Sequence, residues 1–212
     1  MTTTRHTPKK AFTLIETMVS IALLTLAVSG AFLVANSAMI AAEIARDKLT
    51  ASYLAQEAVE YVRMMRDNEY LASYANGGSG VSDNAWHNFL KVDNDADSMN
   101  PCKEPSGSTQ YCQLDPLQPV GVSGYAGGGN SLTICQLGIS CTPLYLSDGV
   151  YTQQAVGTQT PFTRTVRVTD IPGVPDGPYV PGPDKIVTST VFWYFHGIYY
   201  QVSISEHITP WQ

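Results

Sequence analysis

Apolar and polar positions follow three different patterns along this chain. From Thr17 to Ala42 there is no charged residue, and Met18, Val19, Ile21, Leu23, Leu24, Leu26, Val28, Phe32, Leu33, Val34, Met39 and Ile40 are spread round the helical wheel instead of along one stripe. A helix needs about 20 apolar residues to cross the hydrocarbon core of a bilayer, so a stretch at about 17–42 reads as a transmembrane segment, not as one face of a soluble amphipathic helix. From Glu43 the pattern changes without a break. Ala51, Leu54, Ala58, Tyr61 or Val62, and Met65 recur at spacings of three and four, and neither Gly nor Pro occurs between Glu43 and Tyr74. One helix of about 60 residues is expected, apolar all round in its first half and amphipathic in its outer half. Glu43, Asp47, Glu57 and Glu60 with Arg46, Lys48, Arg63 and Arg66 read as its solvated face, with pairs Glu43 to Arg46, Glu60 to Arg63 and Arg63 to Asp67.

Near the other end the period is two. Val187 to Phe195 and Ile198 to Ile204 are rich in β-branched and aromatic residues, with His196-Gly197 between them as a tight turn. Val191, Trp193 and Phe195 alternate with Thr190, Phe192 and Tyr194, while Ile198, Tyr200, Val202 and Ile204 share one face of the return strand. Phe162 to Val168 alternates likewise. An antiparallel sheet of three or more strands can bury the stripe of the outer helix, so the expected fold class is α+β. The stretch 76–160 opens on Asn76-Gly77-Gly78-Ser79-Gly80 and contains Gly127-Gly128-Gly129; it reads as a variable, loop-rich region, with a short helix over Ser82 to Leu90 that gathers Trp86, Phe89 and Leu90.

Charge adds an orientation. The net charge is −6, yet Arg5, Lys9 and Lys10 precede Phe12 with no acid among them, so a basic flank leads an acidic body. Lys9 and Lys10 put that flank in the cytoplasm and the body outside. A secretory signal peptide fits less well, because the apolar run exceeds the roughly 7–15 residues of a signal core and no small-x-small cleavage site follows it. The acidic body offers nucleic acid little: only Lys91, Lys103, Arg164, Arg167 and Lys185 are available in the head.

The four cysteines Cys102, Cys112, Cys135 and Cys141 all lie in the turn-rich part, which points to disulfides and an oxidising compartment. Pairing Cys102 with Cys112 and Cys135 with Cys141 closes the shortest loops, although four cysteines permit three connectivities. Their long spacings and the distance to any histidine argue against zinc. Asp93, Asp95 and Asp97, with Glu104 at the twelfth position, follow the spacing of a calcium loop. Ser98 stands where the turn prefers Gly, Pro101 takes the ninth position and Cys102 lies inside, so a solvated acidic turn competes with calcium as the reading. His6, His87, His196 and His207 have no nucleophile or acid at a motif spacing, and no enzyme activity is expected.

Glu16 is the acid that stands out. It opens the apolar run four residues after Phe12, and no Lys, Arg or His follows until Arg46, so the cation that would neutralise it in lipid must come from elsewhere. The string Lys9-Lys10-Ala11-Phe12-Thr13-Leu14-Ile15-Glu16, followed by the long apolar helix, resembles the N-terminal signature of type IV pilins and type II secretion pseudopilins. Leu54-Ala55-Gln56-Glu57-Ala58-Val59-Glu60 resembles the outer helix of their minor members. The resemblance implies that a prepilin peptidase cuts between Ala11 and Phe12, removing residues 1–11 as a leader, and methylates the Phe12 amine. It also implies that Glu16 meets that amine on another copy, in a helical filament of this chain and other pilins built by an inner-membrane assembly platform. The organisation is then leader 1–11, long helix 12–75, variable region 76–160 and β-strand head 161–212. The protein would sit in the inner membrane as a single-pass prepilin with its C-terminus outside, and later in an extracellular pilus or periplasmic pseudopilus. Two departures are visible: Ala11 stands where the family usually has Gly, and the apolar half lacks a kinking proline, leaving Gly30 as its weak point. The function implied is that of a structural subunit, minor pilin or pseudopilin; the alternative is a filament-borne adhesion or DNA-uptake module acting through the loop region. A plain single-pass protein that keeps its leader would leave Glu16 unexplained.

Overall fold

The computed structural model describes residues 13–75, 110–117, 132–136, 139–170 and 184–209. Helix α1 runs unbroken over Leu14–Ala75, 62 residues. Thr13 starts it: the Thr13 hydroxyl accepts the Glu16 backbone N–H at 3.4 Å, an N-cap that leaves the Glu16 carboxylate in the first turn, where the helix dipole favours negative charge. The hydroxyls of the apolar half are absorbed internally. Thr17, Ser20, Thr25, Ser29 and Ser37 each donate to a carbonyl three or four residues back, which keeps these hydroxyls satisfied without water.

The chain divides into two compact units, Met1–Arg46 and Asp47–Gln212. In the first, the helix is long and apolar enough to cross a membrane, and none of its most apolar window is buried. The second contains the outer half of α1 and all the strands among the described residues. These are β1 Gln110–Leu114, β2 Leu132–Gln136, β3 Tyr145–Ser147, β4 Val150–Thr152, β5 Thr158–Gln159, β6 Thr163–Asp170, β7 Lys185–Phe195 and β8 Ile198–Ile208. A five-stranded sheet has the order β2-β1-β6-β7-β8, and a three-stranded one the order β4-β3-β5; all pairings are antiparallel.

The β7–β8 hairpin pairs Phe195 with Ile198 at its tip and Lys185 with Ile208 at its base. His196 and Gly197 turn it with φ of 50° and 78°, the left-handed pair that matches strand twist. Val187, Ser189, Val191 and Trp193 face inward and are buried, with Thr188, Thr190 and Phe192 on the other side. The helix stripe packs on that inner face in two patches. Ala58, Val62 and Met65 join Val166, Val168, Val187 and Ile208, while Ala51, Leu54 and Ala55 join Leu144, Phe162, Val191 and Trp193. Three alanines in the stripe leave room for the large rings of the sheet: Trp193 stacks on Tyr200 at 5.6 Å and meets Phe162 at 5.7 Å.

The α+β architecture is the expected one, and the hairpin falls where alternation put it. The sheet, however, is not built from the last fifty residues alone. β1 and β2 come from the stretch read as loop-rich and complete it, and β3 to β5 form the small second sheet. β7 and β8 are also longer than the apolar pattern suggested, because Lys185, Ser205, Glu206 and His207 continue the ladder after alternation fades. The helix expected over Ser82 to Leu90 lies outside the described residues.

Candidate functional site

Two chemically distinct surfaces stand out, and the first is the apolar half of α1. Every large apolar side chain from Leu14 to Met39 is more than half exposed. Such a surface needs lipid or other apolar helices around it, since leaving it in water forfeits about 25 cal/mol per Å². Glu16 opens it and is exposed. The nearest basic residue along the helix is Arg46, about 45 Å away at 1.5 Å per residue. Beyond Arg46, Leu49, Tyr53, Met64, Leu71 and Tyr74 remain exposed on the side of α1 opposite the packed stripe. Phe12, Ala11, Lys9 and Lys10 lie outside the described residues, so the cleavage and methylation positions stay with the sequence.

The head is fastened to its helix by a residue the sequence reading left among the surface cations. Arg164, on the inward side of β6, is 0% exposed. One of its terminal nitrogens donates to the Glu57 carboxylate at 2.5 Å and to the Leu54 carbonyl at 3.1 Å; the other donates to the Leu114 carbonyl at 2.9 Å. One guanidinium thus ties α1, β1 and β6 together. Burial pulls its pKa below the usual arginine value, opposed by the charge and hydrogen bond of Glu57 and by the charge of Asp115. Asp115, itself buried, accepts from the Leu117 N–H, the Thr152 hydroxyl and the Gln154 amide, which ties the end of β1 to β4 and the turn after it. Glu57, half-exposed, is therefore more than a member of the solvated face: it also binds a buried cation of the sheet. The signal was present: Phe162, Arg164, Val166 and Val168 are in phase, so an inward strand position carries the arginine. Among the other expected pairs, Glu60 meets Arg63 at 3.0 Å, but Arg63 also reaches Glu206 on β8, and Asp67 is bound by Arg66.

Cys135 and Cys141 are joined, closing a six-residue separation at the end of β2. The Gln136 carbonyl accepts the amides of Ile139, Ser140 and Cys141 inside that loop, and the Ser140 hydroxyl accepts the Gln136 N–H. Cys112 is also disulfide-bonded; Cys102 lies outside the described residues. Asp93, Asp95, Asp97 and Glu104 lie outside them as well, and among the described residues no group of His, Cys, Asp and Glu is placed to hold a metal.

The second surface is the outer face of the five-stranded sheet, which turns away from α1. A groove of about 210 Å³ crosses four strands there, from Tyr111 on β1 past Arg167 on β6 to Gln201 and Ser203 on β8. The Arg167 guanidinium lies over the Tyr111 ring at 4.6 Å. Thr190 and Ser203 hydroxyls meet across β7 and β8 at 2.9 Å, and the Tyr199 hydroxyl donates to the Gln201 side chain at 2.9 Å. Burial, then the neighbouring Tyr194 and Tyr111 phenols, raises the Tyr199 pKa above the ordinary phenol value.

A family model described as the prokaryotic N-terminal methylation motif matches residues 7–32. No curated protein and no solved structure matches the chain. The motif is the signature of type IV pilins and pseudopilins, proteins that are structural and not catalytic. It supports a type IV pilin-like or pseudopilin subunit, anchored in the inner membrane before assembly into a pilus-like filament.

Proposed function

We propose that the protein is a minor pilin or pseudopilin: cut between Ala11 and Phe12, methylated on the Phe12 amine, and drawn from the inner membrane into a helical filament with other pilins. One coincidence carries the reading. The methylation motif over residues 7–32 overlies a helix whose apolar surface is uncovered on every side and whose first turn holds a solitary acid. Cleavage supplies the missing charge, because it creates an ammonium at Phe12 that Glu16 of a neighbouring copy can neutralise where neither ion is comfortable alone in lipid. The exposed stripe from Leu49 to Tyr74 extends the apolar contact beyond the membrane half. Lys9 and Lys10 on the cytoplasmic side and the Cys135–Cys141 disulfide on the other support a head outside the cytoplasm.

Co-expression with a prepilin peptidase tests this by intact mass and N-terminal sequencing. The expected product begins at Phe12 and carries one additional methyl group. A chain that keeps Met1 to Ala11 while a control prepilin is processed would overturn the proposal; an Ala11→Gly variant processed alongside tells whether the residue before the cut is responsible.

A further inference from the structure

The outer-face groove is unused by assembly through the helix, and its lining is chemically specific. We infer that it is a binding site for a saccharide ring. Its floor is a lattice of hydroxyls, Thr190 and Ser203 bonded to each other at 2.9 Å, and its wall carries the rings of Phe192 and Tyr199, whose centroids lie 6.0 Å apart. A hydroxyl is both donor and acceptor and keeps capacity after one bond, as does the Gln201 amide beside it. A pyranose has the matching surface: a rim of hydroxyls that can donate and accept, and a C–H face that covers an aromatic ring.

Size and charge separate this ligand from others. At about 210 Å³ the groove is smaller than the roughly 300–1,000 Å³ that takes drug-sized molecules, so it fits one ring of a chain and not an oligomer lying along the sheet. Among the described residues that line it, Arg167 is the single charged one, whereas a nucleic-acid strand is held by several cations along its backbone. An acyl chain has no use for a hydroxyl floor, which would lose its hydration against it. The paired strands, whose β6 and β7 bury Val166, Val187 and Val191 on one side, fix the backbone positions of these groups on the other, so no rearrangement of the sheet need accompany binding.

Full-length protein in lipid nanodiscs, free of sugar detergents, can be tested by saturation-transfer NMR with galactose, glucose and N-acetylglucosamine as probes and with an eight-residue oligothymidylate as the nucleic-acid comparison. At least one sugar is expected to give a saturable signal, weakened about tenfold or more in both Tyr199→Ala and Ser203→Val and retained in Ile139→Ala, away from the groove. Near-UV circular dichroism checks that each variant is folded, and Gln201→Ala, an exposed position, serves if either is not. No saturable signal from any of the three sugars overturns the inference. So does a signal indifferent to the groove variants, or oligothymidylate binding that Tyr199→Ala abolishes while no sugar binds. None of these outcomes depends on whether the leader is cut, so failure here leaves the filament reading standing.

Discussion

Arg164 and Glu57 are unequal partners. The arginine is fully enclosed, while the glutamate side chain is 39% exposed, so removing each leaves a different residue behind. Glu57→Gln strands a buried cation, which costs roughly 2–4 kcal/mol once solvent access at residue 57 is allowed for. Arg164→Met removes the charge and leaves a carboxylate that water can reach, together with carbonyls at Leu54 and Leu114 that lose a donor, at roughly 1–2 kcal/mol. The expected order of thermal stability is therefore wild type, Arg164→Met, then Glu57→Gln, with the double variant close to Arg164→Met. Near-UV circular dichroism melts of the four proteins in micelles check it, and Glu57→Gln melting above Arg164→Met would refute the account. Glu16 was legible because an acid with no cation in reach violates a simple rule; Glu57 was not, because an exposed-looking charge on a helix violates nothing until the strand opposite is known.

Among elements, the long helix and the β7–β8 hairpin are legible from sequence because each repeats its signal many times. α1 has a continuous apolar run followed by spacings of three and four, and β7 alternates from Val187 to Phe195 around a His-Gly turn. β1 and β5 carry only five and two residues, and β2, also of five, follows a glycine-rich stretch, so too few side chains are present for any period to emerge. Their strand character is set by pairing: Cys112 opposite Val166 joins β1 to the sheet, and Leu146 opposite Thr158 joins β5 to β3. Gly157 is the residue that permits the latter. Its φ is +89°, and a Cβ there would lie 2.3 Å from the Leu146 carbonyl oxygen, whereas Gly149, at φ +83°, has open space. Gly157→Ala is expected to cost about 2–3 kcal/mol and to detach β5, Gly149→Ala only about 1 kcal/mol for its backbone conformation. Hydrogen-exchange protection at Leu146 and Thr158 distinguishes the two, and equal protection in both variants would count against it.

At the scale of the molecule, every buried apolar residue among the described ones belongs to the unit Asp47–Gln212, beginning at Ala51. A fragment starting at Asp47 is therefore expected to fold alone, with a near-UV spectrum and melting midpoint within a few degrees of the full chain. A fragment that stays unfolded would mean that the apolar half of α1 contributes to the head's stability. Folding of the fragment would also separate the two surfaces experimentally, because the groove would remain while the membrane-anchoring surface would be gone. Division of labour of this kind was readable at the outset from charge alone, since the uncharged run ends at Glu43, close to the boundary between the units.

Trp193 lies where these scales meet. It is sealed between Phe162 and Tyr200 and against Ala51, Leu54 and Ala55 of the helix. An indole so enclosed emits at short wavelength and is shielded from dissolved quenchers, and both properties would be lost if helix and sheet parted at that end. The molecule thus carries an intrinsic optical gauge of its own docking. Once Trp86 and Trp211 are replaced, fluorescence could follow, in real time, whether the head stays clasped to its helix as a subunit leaves the membrane.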